Sequence, residues 1–156
     1  MLHIALIEPQ IPPNTGNIAR LCAATGCTLH LVGRLGFRIT DRTLKRAGLD
    51  YWPHVQLVRQ PDAKKFWETV SGYNNFYLFS TRGRRVYTRA QYQDGDYLIF
   101  GQETSGLPAE ILNKYPERSI FIPMEGPVRS LNLSTAVGVV VFEALRQTRG
   151  EWWTDR

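Results

Sequence analysis

The sequence predicts an α/β domain built on a mostly parallel sheet flanked by helices. Three observations predict it. Short β-rich apolar runs alternate with amphipathic helical stretches from one end of the chain to the other. Neither an internal repeat nor a low-complexity linker interrupts the alternation, so residues 1–156 read as one domain. At 156 residues the chain has single-domain length and can bury most of its apolar surface.

The elements follow in order. Residues 2–7 read as a buried strand, followed by a proline-rich turn and a helix over 17–25 that Gly26 stops. Thr28–Val32 is a second strand, and 40–47 a short basic helix with Gly48 beyond it. Residues 55–58 form a third strand, and 62–71 a helix closed by Gly72. Residues 76–80 and Tyr97–Phe100 are further core strands. A short helix starts at Pro108, since proline is tolerated in a first turn. Residues 120–122 are the last strand and 132–148 the longest helix. Leu133, Ala136, Val137, Val139, Val140, Val141, Ala144 and Leu145 cover more than one face of that helix. Such a helix either crosses the core or packs against a second subunit. In so small a domain the second option is favoured for one side, which predicts a homodimer.

Composition limits the partners. The formal net charge is +5, and fifteen of the nineteen lysines and arginines are arginine. The planar guanidinium fork suits phosphate, so the balance leans towards a polyanion, with compositional bias as the alternative. Cys22 and Cys27 lack both C-x-x-C spacing and disulfide density, and read as reduced thiols. The start has no basic leader, and its apolar stretch ends at Pro9. The longest apolar run, 136–142, is too short for a bilayer. A soluble cytoplasmic protein without membrane partners is the expectation.

The familiar catalytic signatures are missing: G-x-G-x-x-G, G-x-x-x-x-G-K-[ST] and G-x-S-x-G. His3, His30 and His54 sit in strand-like runs without ligand spacing, so no metal site is predicted. Function is sought instead at three glycine-, asparagine- or proline-rich segments that follow strand ends: 8–16, 101–108 and 123–132. Parallel sheets bind ligands in the crevice beyond those ends. In the first segment Asn14 and Asn17 can cap or turn, and Arg20 falls near a helix start, where the dipole disfavours a cation. It faces an anion there or is a surface arginine. In the second, Gly101 and Gly106 allow close backbone approach, and Glu103 is a carboxylate in a tight turn, functional or capping. In the third, Ser130 and Asn132 can each cap the last helix, which accounts for one of them.

Together the segments are more specific than any one alone. With the strings IPPNTGNIARLCAATG, RAGLDY, YQDGDYLIFGQETSGLP and SLNLSTAVGVVVFEA, the chain resembles the SPOUT methyltransferases of the SpoU/TrmH class almost end to end. It is most similar to the TrmL-type branch, which methylates the ribose 2′-hydroxyl of the wobble cytidine or uridine of tRNA. The resemblance implies a C-terminal trefoil knot and S-adenosylmethionine as methyl donor, with no metal. It also implies tRNA as partner and homodimers pairing through the first and last helices. Donor-binding positions then match Phe79, Ser80, Thr81, Gly101, Ile122, Ser130 and Leu131. Arg20 matches the catalytic arginine, with Asn14, Glu103, Ser130 and Asn132 as supporting polar positions. Phe142 stands where the branch carries a tyrosine implicated in the RNA-dependent step, and Ser105 where arginine is frequent.

RNA contact is expected from two basic clusters. One comprises Arg34, Arg38, Arg42, Lys45 and Arg46, near Tyr51 and Trp52; the other Arg82, Arg84, Arg85 and Arg89 with Tyr87. Cations among aromatics suit phosphate contact plus stacking on an unpaired base, and a merely solvated basic face is the alternative. A non-catalytic RNA-binding module and a methyltransferase for another RNA nucleotide are the rival functions.

Overall fold

The computed structural model describes residues 1–40, 51–72 and 75–154. Its centre is a seven-stranded sheet in the order β3-β2-β1-β6-β4-β7-β5. The strands are β1 (His3–Ile7), β2 (Thr28–Val32), β3 (Gln56–Gln60), β4 (Phe76–Phe79), β5 (Arg85–Val86), β6 (Tyr97–Phe100) and β7 (Ser119–Phe121). Every strand pairing is parallel. Parallel sheets are covered on both faces, so their strands are apolar throughout rather than alternating. Accordingly β2 and β6 are buried at every residue.

One face carries Leu2, Ile4, Leu6, Leu29, Leu31, Leu98 and Phe100 beneath helices α1 (Pro12–Thr25) and α4 (Leu133–Thr148). The other carries Ala5, Ile7, Val32, Leu78 and Ile99 beneath α2 (Ala63–Ser71) and α3 (Ala109–Lys114). Helix α4 sends Val137, Val140, Val141, Ala144 and Leu145 into the core. Its own chain therefore accounts for much of the apolar circumference. Phe142 is left 47% exposed on the opposite side.

Three expectations are corrected. Helix α1 begins at Pro12 rather than at residue 17, because Pro12 and Pro13 occupy the first turn, where a missing N–H costs nothing. Arg20 consequently sits in mid-helix, and the dipole argument for its placement at a helix start does not hold. The last strand is Ser119–Phe121, one residue earlier than expected. The two-residue edge strand β5 runs through the second basic cluster, read only as a charged segment. The basic helix expected over 40–47, with Arg42, Lys45 and Arg46, lies outside the described residues.

The α2 face holds a histidine pair. His3 Nδ1 lies 3.0 Å from His30 Nε2, and the Tyr97 ring stacks on His3 at 4.5 Å. Burial and then the neighbouring His3 push His30 down to about 4. Above pH ~6.5 neither the folded nor the unfolded chain is charged at this imidazole. Below that the unfolded chain takes the proton and the folded chain resists it down to about 4. Stability present at neutral pH is thus lost as pH falls from ~6.5 through about 4, by about 3 kcal/mol. Urea midpoints at pH 7.5 and 4.5 should show the drop, and His30→Asn should shrink it. An equal drop in the variant would assign the effect to other groups.

Candidate active site

Because all strands are parallel, their carboxyl ends emerge on one side, and the segments after β1, β4, β6 and β7 meet there. The last three enclose a crevice of about 560 Å³. Phe79, Ser80 and Thr81 enter it from the end of β4, Gly101 from the end of β6, and Ile122, Ser130 and Leu131 from the segment after β7. All seven residues that sequence matching assigned to a donor therefore line one cavity. Ile120, Met124, Leu133 and Ala136 add apolar wall, and Gln102, Thr104 and Ser105 add polar groups.

Gly101 is required by the loop itself. A Cβ built there would lie 2.0 Å from the Gly106 carbonyl carbon and 2.2 Å from Leu107 N. The backbone folds back so closely because Gln102 and Gly106 bridge each other, at 3.0 Å from Gly106 N to Gln102 O. Gly106 supports the turn with φ +68°, a conformation that glycine adopts without strain.

Glu103, carried by this loop, ties the second segment to the first. Its carboxylate accepts from Gln10 N at 2.9 Å, Ile11 N at 3.0 Å and Asn14 Nδ2 at 3.3 Å. Ile11 precedes the first turn of α1 and has no side-chain cap of its own, so Glu103 caps the helix from 92 residues away. Hydrogen bonds to a charged acceptor contribute about 1.5–3 kcal/mol each, so this clamp outweighs an ordinary cap. Asn14 does not cap α1, as had been one expectation for it. Instead its Oδ1 accepts from Asn132 Nδ2 at 2.9 Å. Asn132 caps α4, its Oδ1 accepting from Ser134 N at 2.9 Å and Thr135 N at 3.4 Å. Of the two candidates for that cap, Asn132 fills it, and Ser130 is left exposed on the crevice wall.

Arg20 is not part of this wall. It is exposed, with its guanidinium 5.9 Å from the centre of the Tyr51 ring, while Tyr51 donates its hydroxyl to Gly16 O at 3.1 Å. Arg34, Arg38, Arg84 and Arg85 are exposed, and none pairs with a carboxylate among the described residues. Two further arginines, Arg82 and Arg129, line the crevice mouth. Arg82 stood in the second basic cluster without an assigned site, and Arg129 was passed over. Its place inside the third strand-end segment, 123–132, was the available signal. Ser105 donates to Gln102 Oε1 at 3.0 Å. Among the described residues no three His, Cys, Asp or Glu side chains could hold a metal, and no helix is long and apolar enough to cross a membrane.

Comparison with known proteins places this geometry. Residues 1–142 match the SpoU rRNA Methylase family. The chain is 52% identical over 148 residues to the tRNA (cytidine(34)-2′-O)-methyltransferase of Escherichia coli K12, covering 94% of both chains. A structure solved for the 2-OH methylation of C/U34 on tRNA superposes with a TM-score of 0.88 at 50% identity, over 94% of this chain and 95% of the other. An AdoMet-bound rRNA methyltransferase from Sinorhizobium meliloti superposes at 0.82 and 27% identity, over 93% of this chain and 56% of the other.

Proposed function

The chain belongs to the SpoU methylase family, and from that premise we propose that it methylates the ribose 2′-hydroxyl of the wobble cytidine or uridine of tRNA, using S-adenosylmethionine. One observation carries the reading. The strand-end segments form a single crevice, and Glu103, Asn14 and Asn132 bind its wall to the start of α1.

The residues fit the donor. A volume of about 560 Å³ suits a cofactor-sized molecule. Ile122, Leu131 and Leu133 offer an apolar slot for a purine, while Ser80, Thr81 and Ser130 offer hydroxyls for its polar parts. The donor supplies a methyl group already activated on a sulfonium, so no metal is called for. The chain's own contribution is alignment and proton handling. Glu103 and Asn14 are spent on holding α1, which makes them positioning residues. Arg20 is the cation assigned to the reacting hydroxyl, as proton acceptor or as stabiliser of the developing alkoxide. Arg82 and Arg129 at the mouth, with Arg34, Arg38, Arg84 and Arg85 beyond, suit the phosphates on either side of the target nucleotide. A tRNA substrate implies a cytoplasmic enzyme.

The proposal includes a homodimer. Thr135, Gly138, Val139 and Phe142 form an outward stripe on α4, and Pro13, Asn17, Arg20 and Ala24 form one on α1. Pairing through both would cover Phe142 and bring Arg20 to the junction of two chains. Light scattering at low micromolar concentration should give twice 17.9 kDa. A folded, active monomer would remove this part of the reading. It also includes a trefoil knot in the C-terminal part. The match to the SpoU family over residues 1–142 supports it.

Nucleoside mapping of tRNA after incubation with enzyme and S-adenosylmethionine tests the function. A 2′-O-methyl group at position 34 is expected. Methylation elsewhere would assign another nucleotide, and RNA binding without methylation would leave a binding module.

A further inference from the structure

Glu8 directly follows strand β1 and is the only described residue other than glycine with a positive φ, at 50°. Such backbone costs on the order of 1–3 kcal/mol and concentrates where side chains are aimed for function. It is held from two sides. A Cβ on Gly33 would lie 2.7 Å from Glu8 Cγ, and the Glu8 carbonyl accepts from Gln10 Nε2 at 2.6 Å. The half-buried Glu8 carboxylate forms no ion pair among the described residues and accepts only from Gln102 Nε2, at 3.2 Å. Ser105 donates to Gln102 Oε1, which fixes the amide with its NH₂ towards Glu8.

Glu8 and Gln102 share a second cavity of about 290 Å³. Arg82, Gln102, Ser105 and Gly106 line both this cavity and the donor crevice, so the two adjoin. Arg82, on the wall shared with the donor crevice, is the group there for a phosphate, whereas directly beside Glu8 a carboxylate hydrogen-bonded to Gln102 disfavours an anion and suits a neutral donor. Beside it, Gln102 retains one N–H to give. An acceptor next to a donor matches cytosine, whose 4-amino group donates and whose N3 accepts. It matches uracil equally, through N3–H and O4. We infer that Glu8 and Gln102 read the base of the target nucleotide, a proposal that rests on the tRNA reading above.

Base and side chain are tested as a pair. In Glu8→Gln the new amide oxygen accepts from Gln102, which leaves an NH₂ where cytosine also donates. Single-turnover kcat/KM on tRNA with cytidine at position 34 should fall about 10–100-fold. Replacing that base with 2-pyrimidinone, which lacks the 4-amino group, should cost wild type a similar factor. The variant should lose little more on the analogue. S-adenosylmethionine affinity of Glu8→Gln, measured by calorimetry, should equal that of wild type. Gln102→Leu should show the same non-additivity against 3-deazacytidine, which lacks the N3 acceptor, and keeps the test open if Glu8→Gln fails to fold. Losses that multiply independently, or full activity of wild type on the analogue, would overturn the inference and leave the function intact. No methylation of the cytidine tRNA by wild type would instead overturn the function and this proposal with it.

Discussion

Arg20→Ala should lower the single-turnover methylation rate by about 10²–10³-fold even at saturating tRNA, with donor affinity unchanged. The expectation rests on how Arg20 is carried. Glu103 takes two backbone N–H groups at the start of α1, and Asn14 links the same helix to Asn132 at the start of α4. A helix fixed at that end delivers a side chain two turns along with little play. The guanidinium is exposed, has no carboxylate partner among the described residues and lies near the Tyr51 ring. Arg20 is therefore available to an incoming anion or alkoxide. The exposed Arg84 and Arg85 should behave differently, since phosphate contacts position RNA without taking part in the transfer. Replacing both should weaken tRNA binding and lower the salt slope by roughly one unit per contact. Their rate should recover at saturating tRNA. Rescue of Arg20→Ala by saturating tRNA would make Arg20 one more phosphate contact.

The strands were legible because buried parallel strands are written as continuous β-branched and aromatic runs, and β2 and β6 match to the residue. The segments that line the crevice were legible for a related reason, since each follows such a run. What the chain does not display is which side chain meets which. Asn132 and Asn14 are 118 residues apart, and the bond between them depends on the whole sheet. Helix α1 was begun late because Pro12 and Pro13 look like a turn, although a first helical turn has no use for their missing N–H groups. That misreading produced an argument for Arg20 that the fold removes, while the family match to Arg20 stands apart from it. Glu8 was marked only as the first residue of the segment 8–16, with no role of its own. Its interest lies in a backbone angle and in a neighbour 94 residues away, neither of which residue type reveals.

Gly101→Ala should reduce S-adenosylmethionine binding by at least about 100-fold, because the loop that forms one side of the crevice cannot close around a methyl group. An added Cβ meets backbone, 2.0 Å from the Gly106 carbonyl carbon and 2.2 Å from Leu107 N, and backbone cannot rotate away as a flexible side chain can. Relieving the clash requires opening the bridge between Gln102 and Gly106. Opening it displaces Gln102, Thr104 and Ser105 from the crevice wall, and Glu103 from the start of α1. The fault is thus in the loop rather than in the space the donor occupies, and it should reach the RNA side as well. Gly101→Ala should lower the melting temperature, since the Gln10 and Ile11 N–H groups lose their acceptor. Gly126→Ala provides the control, because a Cβ there meets nothing within 4 Å and the residue does not line the crevice. Calorimetry on protein verified as folded by circular dichroism decides the matter. Wild-type donor affinity in Gly101→Ala would show that the loop tolerates the opening and that the donor is held elsewhere.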